Sequence, residues 1–194
     1  MAYSALLAGA LALIFGLGGH QGQRPARDCF PSTAGVDDFK TDWFCSQLAP
    51  AGEGLLPGEH SYRFTYIPSF HATRIVVVTE TEGQWTVVGK VLSGRGGYEP
   101  GTLAHTTKRA LTAAEARLLE NRLANAGMWE PTDKNPETGV DGAEWVLEGR
   151  RASRYAFHDV WSPTDRTFPQ YRRVCIFLLQ LADILPSPKK QELY

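Results

Sequence analysis

Apolar and polar side chains alternate through "HSYRFTYI", where Tyr62, Phe64 and Tyr66 oppose Arg63 and Thr65. That period of two predicts a strand with one buried face. "TRIVVVTET" (residues 73–81) is β-branched and nearly continuous, and "QWTVVGKVL" (84–92) follows it across the turn signal "EGQ". Together the two runs predict a hairpin. "SGRGGYEPG" reads as a loop, and "TLAHTTKR" (102–109) as a further strand. Farther along, "AEWVLEG" (143–149) and "SRYAFHDVW" (153–161) alternate again and are joined by "GRRA". On the first of these, Glu144, Val146 and Glu148 share one face, while Trp145 and Leu147 share the other. Trp145 and Leu147 are expected to face the helices, and the two glutamates, about 13 Å apart at the strand rise, to face water. Arg154 on the neighbouring strand offers one of them a surface ion pair.

The period changes to that of a helix in three places. Val36, Phe39, Trp43 and Leu48 recur near helical spacing in "VDDFKTDWFCSQL" and predict an amphipathic helix with those residues inward. In "LTAAEARLLENRLANAG", Thr112 and Glu115 form a capping-box pair, Ala116, Leu119, Leu123 and Ala126 make one stripe, and Gly127 is a natural stop. A last helix over 168–185 carries Tyr171, Val174, Cys175, Leu178, Leu181 and Leu185 on one side. The order of elements predicts an α+β fold: an antiparallel sheet with helices packed against one face, in a single compact domain over residues 36–185.

Composition narrows what such a domain can do. Among 194 residues, 20 basic and 21 acidic side chains leave a formal net charge of -1, so no global field draws nucleic acid or an anionic membrane. Residues 1–19 carry no charged side chain, and the apolar run 5–17 has the length of a signal-peptide core but is short for a membrane span. A signal peptide over 1–19 is expected, with an uncleaved N-terminal anchor as the alternative. An irregular lead-in (20–35) precedes the domain, and a polar tail (186–194) follows it. No membrane span is expected after cleavage. In an oxidising compartment Cys29 and Cys45 are the expected disulfide, Cys175 being placed on a buried helix face; three free thiols are the alternative.

No familiar catalytic or metal motif is present. The glycine loop lacks a following Lys-Ser/Thr and a following helix, so it does not read as a phosphate cradle. Asp133, Asn135, Glu137, Asp141 and Glu144 fall at calcium-loop positions, but Thr138 stands where glycine is needed and a strand follows. Ser162 precedes Pro163 and reads as a turn former, and His158 and Asp159, as strand neighbours, point to opposite faces. His60, His71 and His105 lack metal-ligand spacing, so neither a cofactor nor a metal is expected. The surface singled out for binding joins the glycine loop (Arg95, Tyr98, Glu99) to the acidic turn (Asp141, Glu144).

The pieces "YRFTYIPSFH", "GRGGYEPG", "GMWEP", "DGAEWVLEG", "RYAFHDVWSP" and "CIFLLQLA" together resemble a family of uncharacterised bacterial exported or envelope proteins, over about residues 39–185. The resemblance implies an envelope location and no catalytic residues. The expected function is therefore that of a periplasmic or envelope interaction protein, with an inhibitor or immunity protein as its specialised form. Its partner would be another envelope protein or a cell-wall component. The alternative is a cell-wall or glycan hydrolase using Glu144 or Asp141, assisted by Tyr98 or His158. That alternative needs converging carboxyls in a cleft.

Overall fold

The computed structural model describes residues 29–131, 139–187 and 193; the expected signal segment, the start of the lead-in and most of the tail lie outside them. The elements run α1 (Asp38–Leu48), β1 (His60–Pro68), β2 (Arg74–Thr81), β3 (Gln84–Leu92), β4 (Leu103–Ala110), α2 (Ala113–Asn125), β5 (Ala143–Arg151), β6 (Arg154–Trp161) and α3 (Pro169–Leu181). All six strands join one antiparallel sheet in the order β4-β3-β2-β1-β5-β6. The β2–β3 hairpin closes through Glu82 and Gly83, both at positive φ, as a two-residue turn between twisted strands requires. The domain is single and α+β.

Alternation sorts the strands into two faces. Tyr62, Phe64 and Tyr66 of β1, Val76 and Val78 of β2, and Trp145 and Leu147 of β5 pack with Leu119 and Leu123 of α2 and Val174, Cys175 and Leu178 of α3. The expected capping box starts α2: Thr112 accepts from the Glu115 amide at 3.2 Å, and Glu115 accepts from the Thr112 amide at 2.8 Å. Helix α3 ends at Leu181, short of the expected 185, where Asp183 turns to a φ of 54°.

The other face is also covered. Ile67, Ile75, Val77, Val146 and Phe157 pack under Phe44, Cys45 and Leu48 of α1 and under Phe30. Helices on one face therefore describes α2 and α3, while α1 lies opposite. The packed body also begins earlier than residue 36, because Cys29 and Phe30 are buried within it. Phe39, expected inward on α1, is instead exposed.

Cys29 and Cys45 form a disulfide across 16 residues and tie this lead-in to α1, while Cys175 is a buried free thiol. Closing a loop of that length restricts the unfolded chain by about 3 kcal/mol. Reduction, or Cys45→Ser, should lower Tm by roughly 6–12 °C for a domain of this size. Calorimetry with and without reductant checks this, and an unchanged Tm would contradict it.

Candidate functional site

At one end of the sheet the loops enclose a cleft of about 330 Å³, lined by Phe39, Lys40 and Trp43 from α1, Tyr98 from the glycine loop, and Glu144 and Trp161 from β5 and β6. Two glycine-dependent contacts shape it. Gly96, at φ 57°, lies so close to the β1–β2 connection that a Cβ there would sit 1.6 Å from the Pro68 carbonyl oxygen. Only glycine allows that approach, which carries Gly97 to α1, where its carbonyl accepts from Trp43 Nε1 at 3.3 Å. On the far side, a Cβ on Gly142 would meet Ser162 Oγ at 2.4 Å, so the 139–142 turn lies flat against Trp161 and Ser162. Ser162 Oγ accepts from the Ala143 amide at 2.9 Å, confirming its part as a turn former.

The mouth is apolar and open. Phe39 is 80% exposed, Tyr98 77% and Val140 84%, and all three line this one cleft. Phe70, also exposed, adjoins Tyr98 in a shallow depression with Arg95 and Glu99. Large apolar side chains gathered around a single concavity, rather than scattered, mark an interaction surface.

Polar chemistry lies at the floor. Glu144 pairs with Trp161 across the β5–β6 ladder and Val146 with Asp159, so the Glu144 and Asp159 side chains are diagonal neighbours on the same face. Glu144 is 8% exposed. Lys40 reaches from α1 to form an ion pair with Asp159 Oδ2. The other oxygen, Oδ1, is buried and receives no N–H or hydroxyl from its surroundings. The Glu144 carboxyl lies within interaction range of Asp159, and two carboxyls can bond to each other only if one keeps its proton. Burial first, then the hydrogen bond to Asp159 and its negative charge, push Glu144 up to about 9, with Lys40 working the other way. Burial alone would depress Lys40, but Asp159, Glu144 and Asp37 together hold its pKa above the usual lysine value. At neutral pH a protonated Glu144 thus lies beside the Lys40–Asp159 ion pair.

Of the residues read from the sequence as a binding surface, Tyr98 and Glu144 line the cleft, while Arg95 and Glu99 line the depression beside it. Asp141 is exposed in the turn at the rim, next to Val140. The expectation that Glu144 and Glu148 face water is wrong, because α1 and the lead-in cover that face. Glu148 is fully buried and takes a bidentate pair from Arg63, Nε at 2.6 Å and Nη2 at 3.0 Å, with the Tyr155 hydroxyl donating at 2.6 Å. Arg154, expected to neutralise one of these glutamates, instead lies over the Trp129 ring.

His158 and Asp159 do point to opposite faces. His158 is buried on the α2/α3 side, with Nε2 2.8 Å from the Met128 carbonyl oxygen, and burial lowers its pKa. It cannot assist Glu144. The acid that does meet Glu144 is Asp159, which sequence reasoning set aside with its histidine neighbour. Phe39, Lys40, Trp43 and Trp161 were likewise missed as site residues. Among the described residues no three His, Cys, Asp or Glu side chains assemble as metal ligands, and no helix is long and apolar enough to cross a membrane. No family model matches the chain, and no curated protein matches it either.

Proposed function

We propose that this is an extracytoplasmic binding protein that holds a partner polypeptide at the cleft between α1, the glycine loop and the 139–142 turn. The observation that carries the reading is the ring of exposed Phe39, Tyr98 and Val140 around a concavity with a buried carboxyl at its floor. Interfaces draw most of their energy from a few aromatic anchors packed around a pocket. The rigid sheet fixes the floor, and the loops around it are pinned by backbone contacts, so little ordering is left for binding to supply. An oxidising location, as in a bacterial envelope, is supported by the Cys29–Cys45 bridge and the apolar run 5–17. An inhibitor or immunity role fits the same surface, since neither needs a reactive centre.

The neighbouring carboxyls give a hydrolase reading one specific support, with Glu144 as a general acid. Its difficulty is the second group. Asp159 is occupied by Lys40 and does not line the cleft, so no second carboxyl faces Glu144 across it as glycoside hydrolysis requires. Turnover of a cell-wall or glycan panel that disappears in Glu144→Gln would favour the hydrolase.

The binding reading is tested by selecting peptides from a displayed random library on the wild-type protein and measuring the winners against Tyr98→Ala and Phe39→Ala. Both side chains are exposed, so neither change should shift Tm by more than a few degrees. Each should weaken binding at least about tenfold. Affinities unchanged in both variants would place the binding surface elsewhere.

A further inference from the structure

The polar cluster beneath the cleft holds two carboxyls and one ammonium: Glu144 and Lys40, which line the cleft, and Asp159 behind them, paired with Lys40. It is one positive charge short of balance. In the free protein a proton makes up the difference, because Asp159 Oδ1 is buried without an N–H or hydroxyl donor and a protonated Glu144 beside it can supply one. The charged side chains that line the cleft are Glu144 and Lys40, and the rings of Trp43, Tyr98, Trp161 and Phe39 line it beside them. Aromatic faces over a carboxyl are the setting in which a planar guanidinium is held, by stacking and by charge.

We infer that the cleft takes an arginine side chain of the partner polypeptide, whose guanidinium pairs with Glu144. The inference rests on the binding reading above and names the chemistry of its occupant. Before binding, Glu144 is neutral and Lys40 and Asp159 form an ion pair. Afterwards Glu144 is a carboxylate paired with the guanidinium, Asp159 and Lys40 are unchanged, and the proton leaves to solvent. Both states are neutral overall, so the low-polarity cleft never holds an unpaired charge.

The groups that bear on Glu144 are Asp159 from β6 and Lys40 from α1, with Asp37, at the start of α1, acting on Lys40. Tyr171 of α3, buried on the opposite side of the sheet, also feels Glu144 and Asp159, but its pKa is raised well above the ordinary tyrosine value and it stays neutral. Lys40 is held charged, so Glu144 is the group placed to give up a proton near neutrality. A neutral side chain of the same shape gains nothing from that exchange.

The probe is acetyl-Gly-Arg-Gly-amide, compared with the same peptide carrying citrulline, the uncharged isostere of arginine. Titration is followed by NMR at the Trp43 and Trp161 indole N–H signals, from pH 6 to pH 8. The arginine peptide should bind at least tenfold tighter than the citrulline peptide at pH 7.5, its affinity rising by up to about tenfold per pH unit as one proton is released. The citrulline peptide should show no such rise. Glu144→Gln, which keeps the shape and cannot ionise, should erase the arginine advantage and the pH slope together. Equal binding of the two peptides, an arginine advantage that survives in Glu144→Gln, a lysine peptide that outcompetes arginine, or no binding by the arginine peptide would each overturn the inference. The binding reading is judged separately, by whether Tyr98→Ala and Phe39→Ala weaken the library-selected peptides.

Discussion

Arg63→Ala should cost about 3–5 kcal/mol of folding stability, enough to leave a domain of ordinary stability largely unfolded at moderate urea concentrations. Arg63 is fully buried between β1 and the lead-in. Its guanidinium pairs with Glu148 and donates to the Gly54 carbonyl at 2.6 Å and the Cys29 carbonyl at 2.9 Å. Truncation leaves Glu148 buried with only Tyr155 donating to it, and frees two loop carbonyls that the guanidinium had satisfied. Burial pushes the Glu148 carboxyl up, so the orphaned acid would take a proton rather than remain charged. The double change Arg63→Met with Glu148→Leu should recover much of the loss, since removing both charges removes the desolvation penalty. Urea denaturation of the two variants checks this. A single variant within about 1 kcal/mol of wild type would mean that the pair does not hold the lead-in to the sheet.

Glu144→Gln carries the second large effect, and its direction depends on pH. In the unfolded chain the carboxyl titrates at the ordinary value of 4.5, and in the folded protein at about 9. Below the lower value both states are protonated, and the group gives no pH dependence. Between the two, the unfolded chain releases the proton and the folded protein keeps it. Stability therefore falls with rising pH, on the order of 1 kcal/mol per pH unit, until the folded-state value is passed. Glutamine supplies an N–H to Asp159 Oδ1 without ionising. Wild type and variant should thus be similar near pH 4.5, with the variant progressively more stable toward pH 9. Parallel stability curves across that range would mean that Glu144 ionises as readily folded as unfolded.

Much of this architecture is written in local pattern. Alternation in "HSYRFTYI" and "AEWVLEG" marks β1 and β5, neighbouring interior strands of the sheet, and Thr112 with Glu115 marks the start of α2, because strand faces and helix caps are set by near neighbours. The second covered face is less legible. Arg63, Glu144 and Glu148 occupy the alternate positions that solvent usually takes, and what buries them comes from far along the chain: Cys29 and Phe30, and α1 with Phe44 and Leu48. One signal pointed there. "IVVV" in β2 is apolar without alternation, and a strand apolar on both faces needs a layer on each.

The site was half legible for the same reason. Tyr98 and Glu144 could be picked out from an exposed glycine loop and an acidic turn. Lys40 and Asp159 could not, since they are 119 positions apart and meet only when α1 crosses β6. Phe39 was misplaced because α1 is covered on its C-terminal half while its first turn projects past the sheet to the cleft mouth.

The proton on Glu144 is what makes the cleft neutral when empty and exchangeable when occupied, so it can be measured directly. In protein labelled with carbon-13 at the glutamate carboxyls, the Glu144 signal is identified by its loss in Glu144→Gln and followed from pH 3 to pH 10. The expected midpoint is near 9, far above the exposed glutamates of the same molecule. A midpoint among those exposed glutamates would contradict it.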